Sequence, residues 1–546
     1  MNDSDYPSAD EVWASPQTPS NPNPIQTDPP FSDGTREKLS LGGILSWLTI
    51  AVVAIGMIML TAMSRSGEEK RTVATSSDLF PIQMQARANV GQKALIESLQ
   101  SAGQEDADKG KRDEDKQSED AGEESDEGDK EKDDDDSVAP IIPEQLNSGT
   151  YEQRLCYVLM VNENNGPDEA AKKLEKLDQD AADAEFEFSE DQTKLRDILG
   201  RQIEQQQQGN FESDHLTDEE QELVKEKLGW VGELALVPEG TSQAQTREEL
   251  VSQGSRTAIV MVVFFGVVVL ALLAGFVAMV SFSAMFGLGT LQPKFQVSGR
   301  NMNVYIETFA IWMLIFFVLP QAIGLAIRSL KVELGSTGEM AFSASFFFGS
   351  LIALAWPMFR GVSFSQMTSD IGLKFKNGLV DTLLSPLTYI SGLPLLVVGA
   401  FFAFVLSMVT AGAGGEKEFG TSVAAGHPIQ EMIASGSGFA IFYVVLMACI
   451  AAPIVEETMF RGVLYRHLRE LTGGKARWMS VAFSAVFNGV IFAAIHPQGV
   501  LAIPLLTALA VSFSLAREWR DSLVAPMVMH AINNGAITTL MVCMMM

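Results

Sequence analysis

Two adjacent glutamates, Glu456 and Glu457, lie in "PIVEETMFRGVLYR", at the end of a nearly uninterrupted apolar run from Gly438 to Val455. A charged residue near the middle of a spanning helix costs roughly 3 kcal/mol on insertion scales, and neighbouring carboxylates repel each other, so such residues usually face a cavity and serve a function. Two of the five histidines, His496 and His530, also lie in apolar segments, the second accompanied by Asn534. Carboxylate, imidazole and amide groups drawn together in apolar surroundings are the materials of an acid–base site.

Spacing shows how they could meet. Glu457 stands one helical turn before Arg461 and can pair with it. Glu456 points about 100 degrees away on the same helix and is left without a local partner. That helix continues through "MFRGVLYRHLREL" to a break at Gly473–Gly474, and "RWMSVAFSAVFNGVIFAAIHP" begins the next. In an antiparallel hairpin, equal distances from the turn lie at equal depth, so Phe492 falls opposite Glu456 and His496 one turn further along. His530 and Asn534, spaced i, i+4 in "LVAPMVMHAINNGAITTLMVCMMM", share one helical face.

The elements that must position these residues are membrane helices. The chain has 546 residues, 47% of them hydrophobic but unevenly spread. About eight apolar stretches near spanning length follow Arg256, and none lies between Gly67 and Ser255. A further apolar run, Leu41–Met63, lacks the short basic start and small-residue cleavage site of a signal peptide and reads as a retained anchor. The fold class is therefore all-α: a polytopic helix bundle with an N-terminal signal anchor.

Outside the spans, residues 1–40 read as a disordered tail and 64–149 as an acidic disordered linker. The net charge of −29 comes mostly from Glu105–Ser137 within it. So dense a run of like charge lacks apolar residues to bury, and it argues against nucleic-acid binding, which needs basic surface. Residues 150–250 read as a small helical module, with Ser189 and Thr217 as capping residues before acidic first turns. The three cysteines, Cys156, Cys449 and Cys543, form no C-x-x-C and read as ordinary apolar side chains. Arg466, Arg469, Lys475 and Arg477 share one connection, Arg517 and Arg520 another, and Arg360, Lys374 and Lys376 a third. If the spans alternate, all three fall on one side. This places the N-terminus in the cytoplasm and the acidic loop outside, although Arg65, Lys70 and Arg71 run against the rule.

"EETMFR", "FAAIH" and "HAINN" match E-E-x-x-x-R, F-x-x-x-H and H-x-x-x-N in order, and the chain thereby resembles the CPBP family of intramembrane proteases, which includes the type II CaaX prenyl endopeptidases. The resemblance is sharpest over residues 451–534 and extends over a membrane domain of residues 256–546. It implies peptide-bond hydrolysis, with Glu456 as general base, Glu457 supporting it and His496 sharing the water. His530 and Asn534 would stabilise the oxyanion, and Arg461 and Phe492 would shape the site. The resemblance requires no cofactor. If zinc is bound, its ligands are Glu456, His496 and His530, although the zincin signature H-E-x-x-H is absent.

The partners implied are the lipid bilayer and a membrane-associated protein or peptide, in a bacterial plasma membrane. There is no G-x-S-x-G elbow and no G-x-G-D. Ser363 in "GVSF" reads as a loop serine, and His215, His427 and His467 as surface residues. The alternative to a protease is a catalytically silent scaffold or immunity factor acting by binding. A transporter would show internal repeats and interrupted helices in both halves.

Overall fold

A computed structural model describes residues 37–68, 74, 76–118, 147–332, 334–413, 432–433 and 437–545. The N-terminal tail and His427 therefore lie outside the described residues. Helices and their connections make up the described structure, with no strand among the described residues. Nine of these helices are long and apolar enough to cross a membrane, one near the N-terminus and eight in the C-terminal half. The chain is an integral multi-pass membrane protein.

The first span is part of the bundle. Helix α1 (Leu41–Glu68) packs Ile50 and Val53 into the core of the membrane domain. Glu37, just before it, accepts hydrogen bonds from Met302 N and Asn303 Nδ2, both at 2.7 Å. A carboxylate there satisfies donors that a helix start leaves unpaired.

The linker expectation fails over part of its length. Residues 76–118 form a helix, α2 (Ser76–Ser118), rather than disordered chain. Its first turns carry Leu79, Ile82, Ala86 and Val90 at helical spacing, and all four are buried in the core of the helical module. That apolar stripe supplies the burial that the charged run after it lacks. Residues 119–146 lie outside the described residues.

The module is completed by α3 (Tyr151–Asn165), α4 (Pro167–Asp183), α5 (Glu190–Gln207) and α6 (Asp218–Ala235). Capping boxes open three of them, at Thr150/Gln153, Ser189/Gln192 and Thr217/Glu220, so both expected capping residues act as such. Burial pushes the Cys156 thiol upward and leaves it inert.

Helix α7 (Ala244–Gly287) starts in the module and continues unbroken as a membrane span. It meets α2 where two glycines cross: a Cβ added at Gly91 would lie 2.1 Å from Gly254 O. Only glycine permits that approach.

The remaining spans are α8 (Met302–Ser329) and α9 (Thr337–Phe359), then, after the short α10 (Phe364–Ile371), α11 (Gly378–Ala413), α12 (Gly438–Thr472), α13 (Arg477–Ala494), α14 (Ile503–Arg520) and α15 (Val524–Met545). Ser363 caps α10 through Gln366 N.

The basic connections meet at one end of this bundle, as their alternation requires, but most of their charges are locked in ion pairs. Arg469 and Arg477 bind Glu518, Arg466 binds Glu470, Arg520 binds Asp381, and Lys374 binds Asp521. Phe295 lies among three guanidiniums, with Arg466, Arg469 and Arg517 centred 5.4, 5.7 and 4.8 Å from its ring. His467 is buried rather than exposed, because its partners come from distant chain: Trp47 Nε1 donates to its Nε2 at 3.2 Å, and its Nδ1 lies 2.8 Å from Met302 O.

Candidate active site

The glutamates occupy a short α-helical stretch of α12 between two π-helical segments, Met447–Ala451 and Thr458–Leu464. Pro453 explains the first. Its ring lacks an N–H and clashes with the carbonyl four residues back, so the ladder shifts by one residue and Ala452 N bonds Met447 O. Turns of this kind displace side chains from the ordinary 100-degree spacing and recur at functional sites.

Glu456 and His496 come together as the hairpin count requires. His496 Nε2 stands 3.6 Å from Glu456 Oε2, beyond direct hydrogen-bond length. The other ring nitrogen, Nδ1, lies 2.5 Å from Phe492 O. A carbonyl only accepts, so Nδ1 carries a proton and Nε2 is the nitrogen that faces Glu456. Glu456 Oε2 has no hydrogen-bond partner in the protein. The two atoms face one another at close to van der Waals separation.

Glu457 has different company. Its side chain is 0% exposed against 14% for Glu456, whose Oε2 is nonetheless buried. Glu457 Oε1 accepts from Arg461 Nη1 at 2.9 Å and lies 2.8 Å from His530 Nδ1. The pairing with Arg461 expected one turn along is present, but inside the bundle rather than on a helix surface. Arg461 also donates to Ala510 O at 3.2 Å, and its guanidinium lies over the Phe492 and Phe513 rings at 4.6 and 5.2 Å. His530 stacks on Phe513 with centroids 5.5 Å apart. Phe492 is the shared wall, 4.2 Å from the His496 ring and 6.2 Å from that of His530.

Asn534, one turn beyond His530, donates from Nδ2 to Ala448 O at 2.8 Å. Both residues therefore face α12, as their shared helical face allows. The sequence reading missed Asn488, whose Nδ2 donates to Phe460 O at 2.8 Å inside the second π segment. It also missed Asn533 and Tyr389, which contact each other beside Asn534. A polar residue on an apolar helix is the one signal that could have found them.

Among the described residues, no group of three or more His, Cys, Asp or Glu side chains is arranged to hold a metal ion. His530 directs Nδ1 to Glu457, which leaves its Nε2 uncommitted.

Carboxylates, imidazoles and amides are thus gathered inside a bundle of helices of membrane-spanning length. Residues 438–536 match the family described as Rce1-like, "Type II CAAX prenyl endopeptidase Rce1-like". The resemblance read from the three motifs therefore holds over the helices that carry the site. The "Membrane-embedded CAAX protease MroQ" of Staphylococcus aureus (strain USA300) is 29% identical over 93 residues, which are 17% of this chain and 37% of that protein. The chain thus matches little more than a third of the relative's length. No solved structure matches it significantly.

Proposed function

We propose that this protein is an intramembrane endopeptidase that hydrolyses a peptide bond of a membrane-associated protein or peptide. The observation that carries the reading is the unpartnered Glu456 Oε2, 3.6 Å from His496 Nε2. With the His496 ring neutral, a water beside the pair and within hydrogen-bond reach of both donates to both and has its oxygen lone pairs free for attack. Glu456 takes the proton as the oxygen adds to the scissile carbonyl and returns it to the leaving amine. His496 keeps the water oriented, and its own orientation is set by Phe492 O.

The oxyanion is received by His530 and Asn534. Because His530 Nδ1 is directed to Glu457, its Nε2 donates only when the ring is an imidazolium, a cation beside the Glu457 carboxylate. Asn534 keeps a second Nδ2 hydrogen beyond the one given to Ala448 O. Arg461 holds Glu457, and Phe492 and Phe513 exclude water around the pair, which strengthens each of these interactions.

The basic connections gathered at one end support an N-terminus in the cytoplasm, with the module and acidic segment on the far side of a bacterial plasma membrane. The substrate is then a protein or peptide that reaches the bilayer, as a CAAX protease requires.

The test compares protein N-termini by terminal-peptide mass spectrometry in cells producing this chain and cells producing Glu456→Gln. New N-termini that require the glutamate support proteolysis and identify substrates. Identical profiles at equal membrane levels would move the assignment to the scaffold or immunity reading.

A further inference from the structure

Ala448 O stands at the break in the α12 ladder. In an ordinary α-helix it would accept from Ala452 N, but that amide bonds Met447 O instead. In a continued π pattern its donor would be residue 453, which is proline and has no N–H. The carbonyl is left without a main-chain donor in a membrane interior, where such a group is costly. Asn534 Nδ2 fills the vacancy at 2.8 Å.

That bond fixes the polarity of a longer relay. With Nδ2 turned to Ala448, Asn534 Oδ1 points the other way and accepts from Asn533 Nδ2 at 3.1 Å. Asn533 Oδ1 then accepts from the Tyr389 hydroxyl on α11 at 3.1 Å. A carbonyl only accepts, so rotating either amide would set oxygen against oxygen or nitrogen against nitrogen. A phenol, two amides and a main-chain carbonyl thus permit one orientation of Asn534.

We propose that Tyr389 and Asn533 are positioning residues that hold the Asn534 amide with its second N–H presented to the reacting carbonyl. The inference rests on the hydrolytic reading above and assigns roles to Tyr389, outside the three family motifs, and to Asn533, a variable position within the third. Neither is a catalytic residue. Tyr389 acts through Asn533, and Asn533 through Asn534. Without the hydroxyl, Asn533 Oδ1 loses its donor and the Asn533–Asn534 pair is held by the Ala448 bond alone, so part of the population swings the second Asn534 N–H away from the reacting carbonyl and the oxyanion loses that donor.

The test uses the full chain in nanodiscs and a peptide spanning a Glu456-dependent cleavage site. Tyr389→Phe removes only the hydroxyl and should lower kcat about tenfold with KM within about twofold and the melting temperature unchanged. Asn533→Leu should reproduce the kcat loss. In an Asn534→Ala background, Tyr389→Phe should have no further effect, because the group it positions is gone. Tyr389→Phe that leaves kcat unchanged, or lowers it equally with and without Asn534, overturns the inference while the hydrolytic reading stands. Absence of any Glu456-dependent cleavage by the unaltered chain overturns both.

Discussion

Helix α12 carries two carboxylate clusters, one toward its C-terminal end and one at its middle, and they are built on opposite principles. At the end where the basic connections gather, Glu470 accepts from Ser298 N, Gly299 N and Arg466, and Glu518 of α14 accepts from Tyr465, Arg469 and Arg477. Nearly four turns earlier along α12, Glu456 Oε2 and Glu457 Oε2 have no partner. Full satisfaction makes a carboxylate part of the scaffold, whereas an unsatisfied oxygen in a site excluded from bulk water is available for proton transfer. Burial and helix are shared by the two clusters, so the count of partners separates structure from chemistry.

Substitutions in the two clusters should therefore fail in different ways. Glu456→Gln should lower the cleavage rate by about 10²- to 10⁴-fold and leave the melting temperature in detergent nearly unchanged. An equal loss of stability would break the comparison. Glu518→Ala leaves Arg469 buried without its carboxylate and should destabilise the fold by about 3–5 kcal/mol, read by thermal melting, with the rate per folded molecule preserved. Trp47→Phe removes the bond to His467 and should cost about 1 kcal/mol without altering the rate, which tests whether α1 is scaffold only.

The smallest effect is expected in the helical module. Thr217 N, and then Arg201, hold the Glu220 carboxyl below its ordinary range. A depressed folded-state value means that its stabilisation is present above the unfolded value, about 4.3, and fades as pH falls through the lower folded one. Glu220→Gln should flatten that acid dependence in the exchange protection of α6, with little change at neutral pH.

The membrane bundle and the Glu456–His496 pairing were legible because both follow from apolar run lengths and from counting outward from one turn. The second pair was half legible: Arg461 lies four residues from Glu457, but His530 lies 73 residues away, and no local pattern couples them. His467 was misread for the same reason, since Trp47 stands 420 residues distant. The first π segment left no trace in a run that is apolar on every face, except for Pro453. Helix α2 was hidden by averaging: its apolar stripe ends near Val90, and the charged half dominates the composition.

The glycine crossing of α2 and α7 has a mechanical consequence. Two helices in backbone contact, one rooted in the core of the module and the other continuing through the bilayer, form a strut. The height and heading of the module over the membrane are then set by a fixed joint at Gly91 and Gly254 rather than by the length of any tether. Lengthening or shortening the acidic segment would change the slack in the chain and leave that joint where it is.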